Sequence, residues 1–437
     1  MMSMNAKEIQ EKINSYSWQK WLERPFDCFM VSLFQEGIKE KYFEKIGVSK
    51  VCCEAILFQN GFWYESPEVF EKMKKGVSVY LEDHTIFEIT SSLSSFHSKS
   101  KQKIKKLVRE EKNPIMQLQE LHEILSSATT YIWLAHGLEE YYKEKLKQEV
   151  PKYISSEIDL FIGDASFPKK KNAHTRMEEA MRRGISSERI AKKWGWIRIR
   201  DGFSEPFTKE EIQIQKENVS SKSYLKKIKI PIPLRLLFNQ VQELVYFRTA
   251  RTDVFYELLF QSRPILRNIA KYYNISFNEL RHYSIQTLLS EKPIKNFPLV
   301  SFASYLGNGL YSQEVLVKEA KEQEELATLF VKGMIACKGI VRGKAKIVRA
   351  VAELQKVEKG DILITQMTFP SFIIAMQRAA GFVTDEGGLT CHAAIVAREM
   401  QKPCIIGTRK ATTIFNDNDL VEVNANTGIV KKCSKIL

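Results

Sequence analysis

Gly387-Gly388-Leu389-Thr390-Cys391-His392-Ala393-Ala394-Ile395-Val396-Ala397-Arg398-Glu399 is the stretch around which the chain is read. The paired glycines release the backbone from its usual steric limits. Thr390 suits an N-cap, and Cys391 to Met400 then reads as a helix halted by Pro403. That places His392 in the first helical turn, where unpaired amides and the positive dipole end favour an anion. An imidazole there is poorly placed to be a cation. It is well placed to take up a phosphoryl group whose oxygens the helix end and glycine backbone solvate. The competing reading is a histidine that only caps its helix.

The flanks read as alternating strands and helices. Cys337 to Val348 reads as strands with glycine bends and Asp361 to Gln366 as a buried strand. Pro370 to Ala380 reads as a helix with proline at its start, and Gly381 to Thr384 as another strand. Pro403 to Gly407 and a hairpin around Asn424-Ala425-Asn426-Thr427-Gly428 follow. This alternation predicts an α/β layer.

With Thr384-Asp385 before it and Pro403-Cys404-Ile405-Ile406-Gly407 after it, the stretch resembles the phosphohistidine domain of phosphoenolpyruvate-utilising enzymes. That mobile, swivelling domain occurs in phosphoenolpyruvate synthase, pyruvate phosphate dikinase and rifampin phosphotransferase. The family pattern is roughly Thr-Asp-x-Gly-Gly-x-Thr-[Ser or Cys]-His-Ala-Ala-Ile-x-Ala-Arg-Glu, followed by Pro-x-x-x-Gly. The Thr390-Cys391-His392 spelling is closest to the synthase branch. Two residues depart from the pattern: Gln401 and Asn418 stand where glycine is usual, at positions expected to need left-handed backbone.

The resemblance implies that His392 is the nucleophile and phosphoryl carrier, with Gly387, Gly388 and Thr390 holding the phosphoryl oxygens. Arg398 is a phosphate contact or, equally, a salt-bridging cation near the helix end. It also implies an ATP-grasp domain that phosphorylates the histidine. Residues 1–330 show no such signature and no Gly-x-x-x-x-Gly-Lys-[Ser or Thr] loop, and no barrel domain follows before Leu437. The ATP-grasp element is therefore expected as a separate polypeptide that brings ATP and Mg²⁺. No cofactor or metal is expected to bind this chain directly.

The expected architecture is multidomain. A largely helical region, α or α+β, covers 1–330, with sub-boundaries near 90 and 222. The α/β swivelling domain covers 331–437. In the first region Ser17 to Phe26 carries aromatics at helical spacing, and Gln59-Asn60-Gly61 predicts a hairpin between two strands. Lys99 to Lys112 reads as a basic helix face, separated by Pro114 from a second helix. Leu234 to Tyr272 reads as a long helical stretch broken at Pro264. Within it Arg248, Arg251 and Asp253 lie within a turn or two of one another, a group that grips a phosphate or organises a salt bridge. Ser276 to Leu289 reads as a capped helix, with Ser276 and Glu279 at capping-box spacing. Gln313 to Phe330 reads as a charged helix leading to the last domain.

A small-molecule acceptor is expected on the 14–330 region. Trp194, Trp196, Arg200, Phe203 and Glu205 are the candidate lining, because aromatics, arginines and glycines crowd one loop there.

Composition sets the remaining bounds. The 66 basic and 52 acidic residues give +14, a surface that attracts phosphorylated substrates or nucleic acid. No nucleic-acid-binding signature accompanies it. The seven cysteines show no Cys-x-x-Cys spacing, which argues against a disulfide framework or zinc site. No apolar run approaches the ~20 residues of a membrane span, and the polar N-terminus lacks a signal-peptide core. No membrane is expected as a partner, and the expected location is the cytoplasm. The function expected is a phosphotransferase component carrying phosphate on His392. The alternatives are a regulatory or scaffold protein with a phosphorylatable histidine, or an anion- or nucleic-acid-binding protein.

Overall fold

The computed structural model describes residues 11, 13–23, 26–48, 51, 56–59, 61–110, 112–199, 202–218, 228–290, 303–305, 310–311, 330–349, 351–368, 372–388 and 391–433. It divides into two compact units. One comprises Met1–Glu144, Ile199–Pro206 and Phe247–Ala320, the other Lys145–Arg198, Phe207–Tyr246 and Lys321–Leu437.

In the first unit, strands β1 (Gln19–Glu23), β2 (Ile56–Gln59), β3 (Phe62–Glu65), β4 (Ala303–Tyr305) and β5 (Leu310–Tyr311) form an antiparallel sheet in the order β1-β3-β2-β4-β5. The expected hairpin is β2–β3, turning through Gly61 at φ +86°. The helical spacing of Ser17 to Phe26 misleads, because Gln19–Glu23 is instead a strand paired with β3. Ladder pairing overrides a weak local pattern of that length.

Long helices supply most of this unit: Pro67–Asp83, Ile86–Arg109, Pro114–Glu149 up to Glu144, and Arg235–Gln261 from Phe247. Phe34, in helix Cys28–Gly37, is met edge-on by their Trp133 at 6.0 Å and Phe255 at 5.5 Å, and Trp63 of β3 lies tilted against it at 6.3 Å. The Trp133 indole N–H donates to the Phe34 carbonyl at 2.8 Å, so the ring is buried with its polar atom satisfied.

Arg235–Gln261 stops before Ser262, and Pro264 sits in the first turn of the next helix, Arg263–Tyr272. The break thus falls just before the expected Pro264, which takes a position where proline's missing N–H costs nothing. Ser276 and Glu279 do form the reciprocal capping bonds, at 2.9 and 3.2 Å. They cap only a 3₁₀ turn, Asn278–His282, and a separate five-residue helix, Ile285–Leu289, follows. Gln313 to Leu329 lie outside the described residues, as does Cys52-Cys53, a pair that reads from its apolar segment as buried thiols.

The second unit opens with helices Ile158–Ala165, Ala173–Arg182, Ser187–Trp194 and Lys209–Asn218. An eight-stranded sheet follows. Its strands are β6 (Phe330–Lys332), β7 (Met334–Cys337), β8 (Ile340–Val348), β9 (Ile362–Thr365), β10 (Gly381–Thr384), β11 (Cys404–Ile406), β12 (Leu420–Asn424) and β13 (Ile429–Lys432), in the order β6-β13-β12-β8-β9-β10-β11-β7. The four central strands β8-β9-β10-β11 are parallel and the outer ones antiparallel.

Helix Ile373–Arg378 links β9 to β10, and helix His392–Met400 links β10 to β11. Side chains alternate between the two faces of the central strands. Leu363, Phe382, Cys404 and Ile406 pack with both linking helices, while Ile362, Ile364, Val383 and Ile405 pack with Ala411, Phe415 and Val421. Both faces of β9 and β10 are therefore buried, as parallel strands require. The described N-terminal part is helical with a small sheet, and the C-terminal part is an α/β sheet region.

Candidate functional site

Parallel strands present all their carboxyl ends at one edge, which is where open α/β sheets place ligands. At that edge Thr365 to Thr368 leave β9, Asp385 to Gly388 leave β10, and Gly407 to Arg409 leave β11. Backbone bonds tie these exits together. Asp385 and Glu386 donate to Thr365 and Gln366 at 3.1 and 2.8 Å, and Thr408 and Arg409 donate to Thr384 and Asp385, each at 3.0 Å.

Asp385 is the post of this edge. It is buried, and its carboxylate accepts from the Thr408 hydroxyl at 2.9 Å, from the amides of Ala411 and Thr412, and from the Thr412 hydroxyl. The amides belong to the first turn of helix Ala411–Ile414, so the carboxylate satisfies donors that helix cannot.

His392 is the first residue of helix His392–Met400. The cap is Cys391, one residue later than expected, and it makes no side-chain capping bond. Thr390 lies outside the described residues. The amides of His392, Ala393 and Ala394 have no helical acceptor one turn back, and the first intrahelical bond is Ile395 to Cys391 at 3.0 Å. The His392 Nδ1 stands 2.8 Å from the Thr368 hydroxyl, which is buried. Thr368 and Asp385 are the groups that carry the site's geometry beyond the expected residues. Asp385 is visible within the motif; nothing local around Thr368 announces a partner 24 residues away.

The two glycines differ. Gly387 is exposed at φ +120°, and a Cβ there would sit 2.9 Å from the Cys391 sulfur. Gly388 has an ordinary φ, with open space where a Cβ would go, and its carbonyl accepts from the Cys391 amide at 2.8 Å. Gln401 and Asn418, the departures from the family pattern, stand at φ +53° and +70°.

Arg398 lies about 9 Å along the helix from His392 and about 120° round it. It is buried, 3.4 Å from the Asp164 carboxylate, and pressed on Gly163, where a Cβ would come within 2.1 Å of the guanidinium. Burial pushes its pKa down, against the pull of Asp164. The next residue, Glu399, has its pKa pushed up to about 7 by burial first and Glu178 second, opposed by Arg182. Lys338 pairs with Glu157 in the same unit.

Of the five residues expected to line an acceptor pocket, the four described ones belong to two units and have different environments. Trp194 borders a surface hollow of about 670 Å³ with Arg183, Ile185, Ser186, Arg189 and Lys193; the Lys193 ammonium is 4.4 Å from its ring centre. Trp196 is buried in a 3₁₀ turn and donates to the Lys193 carbonyl at 3.1 Å. Phe203, in the other unit, is buried against Phe29 and Phe277 at 5.7 and 5.3 Å. Glu205 is exposed and 3.8 Å from Arg263. Arg200 lies outside the described residues.

Among the described residues no group of three or more His, Cys, Asp or Glu side chains could hold a metal ion. No helix there is long and apolar enough to cross a membrane.

Residues 357–428 match the family model described as "PEP-utilising enzyme, mobile domain". The match contains the strand ends, Thr368, Asp385 and the histidine helix. A probable phosphoenolpyruvate synthase of Methanothermobacter thermautotrophicus is 47% identical over 120 residues, 27% of this chain and 18% of that protein. The phosphoenolpyruvate synthase of Pyrococcus furiosus is 45% identical over 120 residues, 28% of this chain and 15% of its own length. An uncharacterized phosphotransferase of Bacillus subtilis is 34% identical over 143 residues, 32% of this chain and 17% of that protein. The chain thus spans less than a fifth of these relatives. The likeness to these relatives extends over 120 to 143 residues of this chain, and the family model over residues 357–428.

Proposed function

We propose that this chain is a phosphotransferase component that carries a phosphoryl group on His392 between an ATP-grasp partner and a small-molecule acceptor. The supporting observation is the imidazole at the first position of a helix on the carboxyl edge of parallel strands, with Nδ1 held by Thr368. In the tautomer whose Nδ1–H donates to the Thr368 oxygen, the Nε2 lone pair is the nucleophile. It attacks a phosphorus of ATP, the P–N bond forms, and the P–O bond to the departing nucleotide breaks. An acceptor oxygen then attacks phosphorus, the P–N bond breaks, and the imidazole returns neutral as the acceptor proton leaves. The Gly387–Gly388 backbone and the first-turn amides solvate the phosphoryl oxygens, and Thr390 adds its hydroxyl. ATP and Mg²⁺ come with the partner, which is a separate polypeptide, and the location is the cytoplasm. Arg398, beside Asp164, positions the helix rather than touching phosphate.

The test is labelling with ATP. Alone, the protein stays unlabelled; with a matching ATP-grasp partner it gains an acid-labile, base-stable adduct. His392→Ala abolishes the adduct and Cys391→Ser keeps it. Thr368→Val slows labelling about tenfold, roughly 1.4 kcal/mol of barrier, and Thr368→Ser restores it. Robust labelling of His392→Ala would sink the proposal.

A further inference from the structure

Helix Arg235–Gln261 carries a stripe at helical spacing that faces the core: Phe247, Arg251, Phe255 and Leu258. The phenylalanines and the leucine are 0% exposed, and Arg251, standing in the same register, is 7% exposed. A guanidinium has five N–H donors and stays charged, so burial obliges it to find acceptors.

Its neighbourhood does not supply them. The carboxylate beside Arg251 is Glu139, whose Oε1 is 3.8 Å from the Arg251 Nη2, beyond hydrogen-bond reach. That same oxygen is 2.6 Å from Nε of Arg248. Two guanidinium groups therefore approach one carboxylate oxygen, and the close contact goes to Arg248 rather than Arg251. Among the described residues no hydrogen bond and no aromatic ring engages Arg251, and burial pulls its pKa down to about 10 in spite of Glu139.

The same unit shows how this fold treats a buried arginine that is purely structural. Arg263, 3% exposed, donates to the carbonyls of Gly202 and Ser204 and lies over the rings of Phe260 and Phe277 at 5.5 and 5.6 Å. Arg251 has none of this. What its buried, unbonded donors match is an oxyanion, with two or more acceptor atoms and one negative charge in the planar fork.

We infer that Arg251 and Arg248 form a binding site for the carboxylate or phosphate group of a small molecule, with Glu139 holding the Arg248 guanidinium in place. Naming that group as the acceptor's anionic end rests on the transfer function proposed above; the binding itself does not. It is read on the whole chain without any transfer, so the two proposals fail separately.

The experiment follows thermal unfolding of the full chain while inorganic phosphate, and separately acetate, is titrated against potassium chloride at equal ionic strength. One of the two oxyanions raises Tm by about 3–5 °C near 100-fold over its Kd. A response to phosphate alone assigns a phosphate ligand, and a response to acetate alone or to both assigns a carboxylate-sized oxyanion site. Arg251→Met removes the rise while leaving Tm in chloride within about 1–2 °C of wild type or above it, since a buried charge is replaced by apolar volume. Arg251→Lys keeps the charge, loses the fork and weakens binding about tenfold or more. No rise above chloride for either oxyanion overturns the inference. So does an equal rise in Arg251→Met or, if that variant does not fold, an unchanged Kd in Arg251→Lys.

Discussion

In the proposed transfer the phosphoryl oxygens at His392 are met by backbone amides of a helix start and a glycine turn, whereas the inferred site at Arg251 and Arg248 meets its oxyanion with side-chain charge on a long helix. Amides are neutral donors fixed by the fold, so they stabilise a phosphoryl group without a counter-charge that must be pulled away when it leaves. Guanidinium groups bind harder and suit a group that stays put while chemistry happens elsewhere on its molecule. A carrier site and a holding site thus call for different materials. Their weaknesses differ too: the first depends on the exact path of a short loop, the second on the packing of helices that other contacts already secure.

That contrast is sharpest at Asp385. Its carboxylate bonds Thr408, Ala411 and Thr412 rather than the imidazole, and so fastens the exits of β10 and β11 on which the loop rests. Asp385→Ala leaves a buried hydroxyl and a helix start without their acceptor. The expected cost is about 3–5 kcal/mol of stability in the second unit, seen as a lower denaturant midpoint. Labelling of His392 should fall with it, while the oxyanion-induced Tm shift assigned to Arg251 in the first unit survives. If Asp385→Ala lost neither stability nor labelling, the loop would not be fastened there.

The two glycines break the comparison at a finer scale. Gly387→Ala forces a side chain onto φ +120° and against the Cys391 sulfur, at a cost of about 1–3 kcal/mol. Labelling should drop more than about tenfold, the equivalent of some 1.4 kcal/mol of barrier. Gly388→Ala meets open space at an ordinary φ and should stay within about threefold of wild type. Equal losses in the two variants would mean that backbone conformation is not what positions the phosphoryl group.

The second unit's sheet is legible in the sequence because its signals are local. Ile362–Thr365 and Gly381–Thr384 are short apolar runs, each followed by a linking helix, and the histidine motif occupies one loop and one helix. Gln401 and Asn418 are readable as left-handed positions for the same reason. What escapes depends on contacts between distant residues. Thr368 reaches His392 across 24 positions, and Arg398 finds Asp164 in a helix far earlier in the chain. Trp196 and Phe203 look like one loop surface, yet both are buried and they belong to different units. Arg251 stands out in sequence for its charged neighbours, but what marks it is its core register beside Phe247 and Phe255, which only the fold reveals.

The smallest expected effect compares the units through one carboxyl group in each. Glu65 in the first unit and Glu399 in the second both have pKa values pushed up to about 7, chiefly by burial, with Glu140 and Glu178 as the next contributors. A carboxyl raised on folding stabilises the fold while protonated. Its contribution is full below the ordinary value near 4.5 and is lost as pH rises through about 7. A shift of that size would carry about 3 kcal/mol if fully expressed. Both side chains keep some solvent contact, and Arg182 opposes the shift at Glu399, so about 1–2 kcal/mol is expected for each. Glu399→Gln should therefore match wild type at pH 5 and exceed its stability at pH 8, with Glu65→Gln behaving alike in the other unit. Thermal unfolding at pH 5, 6, 7 and 8 measures this directly. Curves for wild type and Glu399→Gln that run parallel across that range would show that Glu399 ionises as freely in the fold as in the unfolded chain, and that the flank of the histidine helix carries no proton-linked strain.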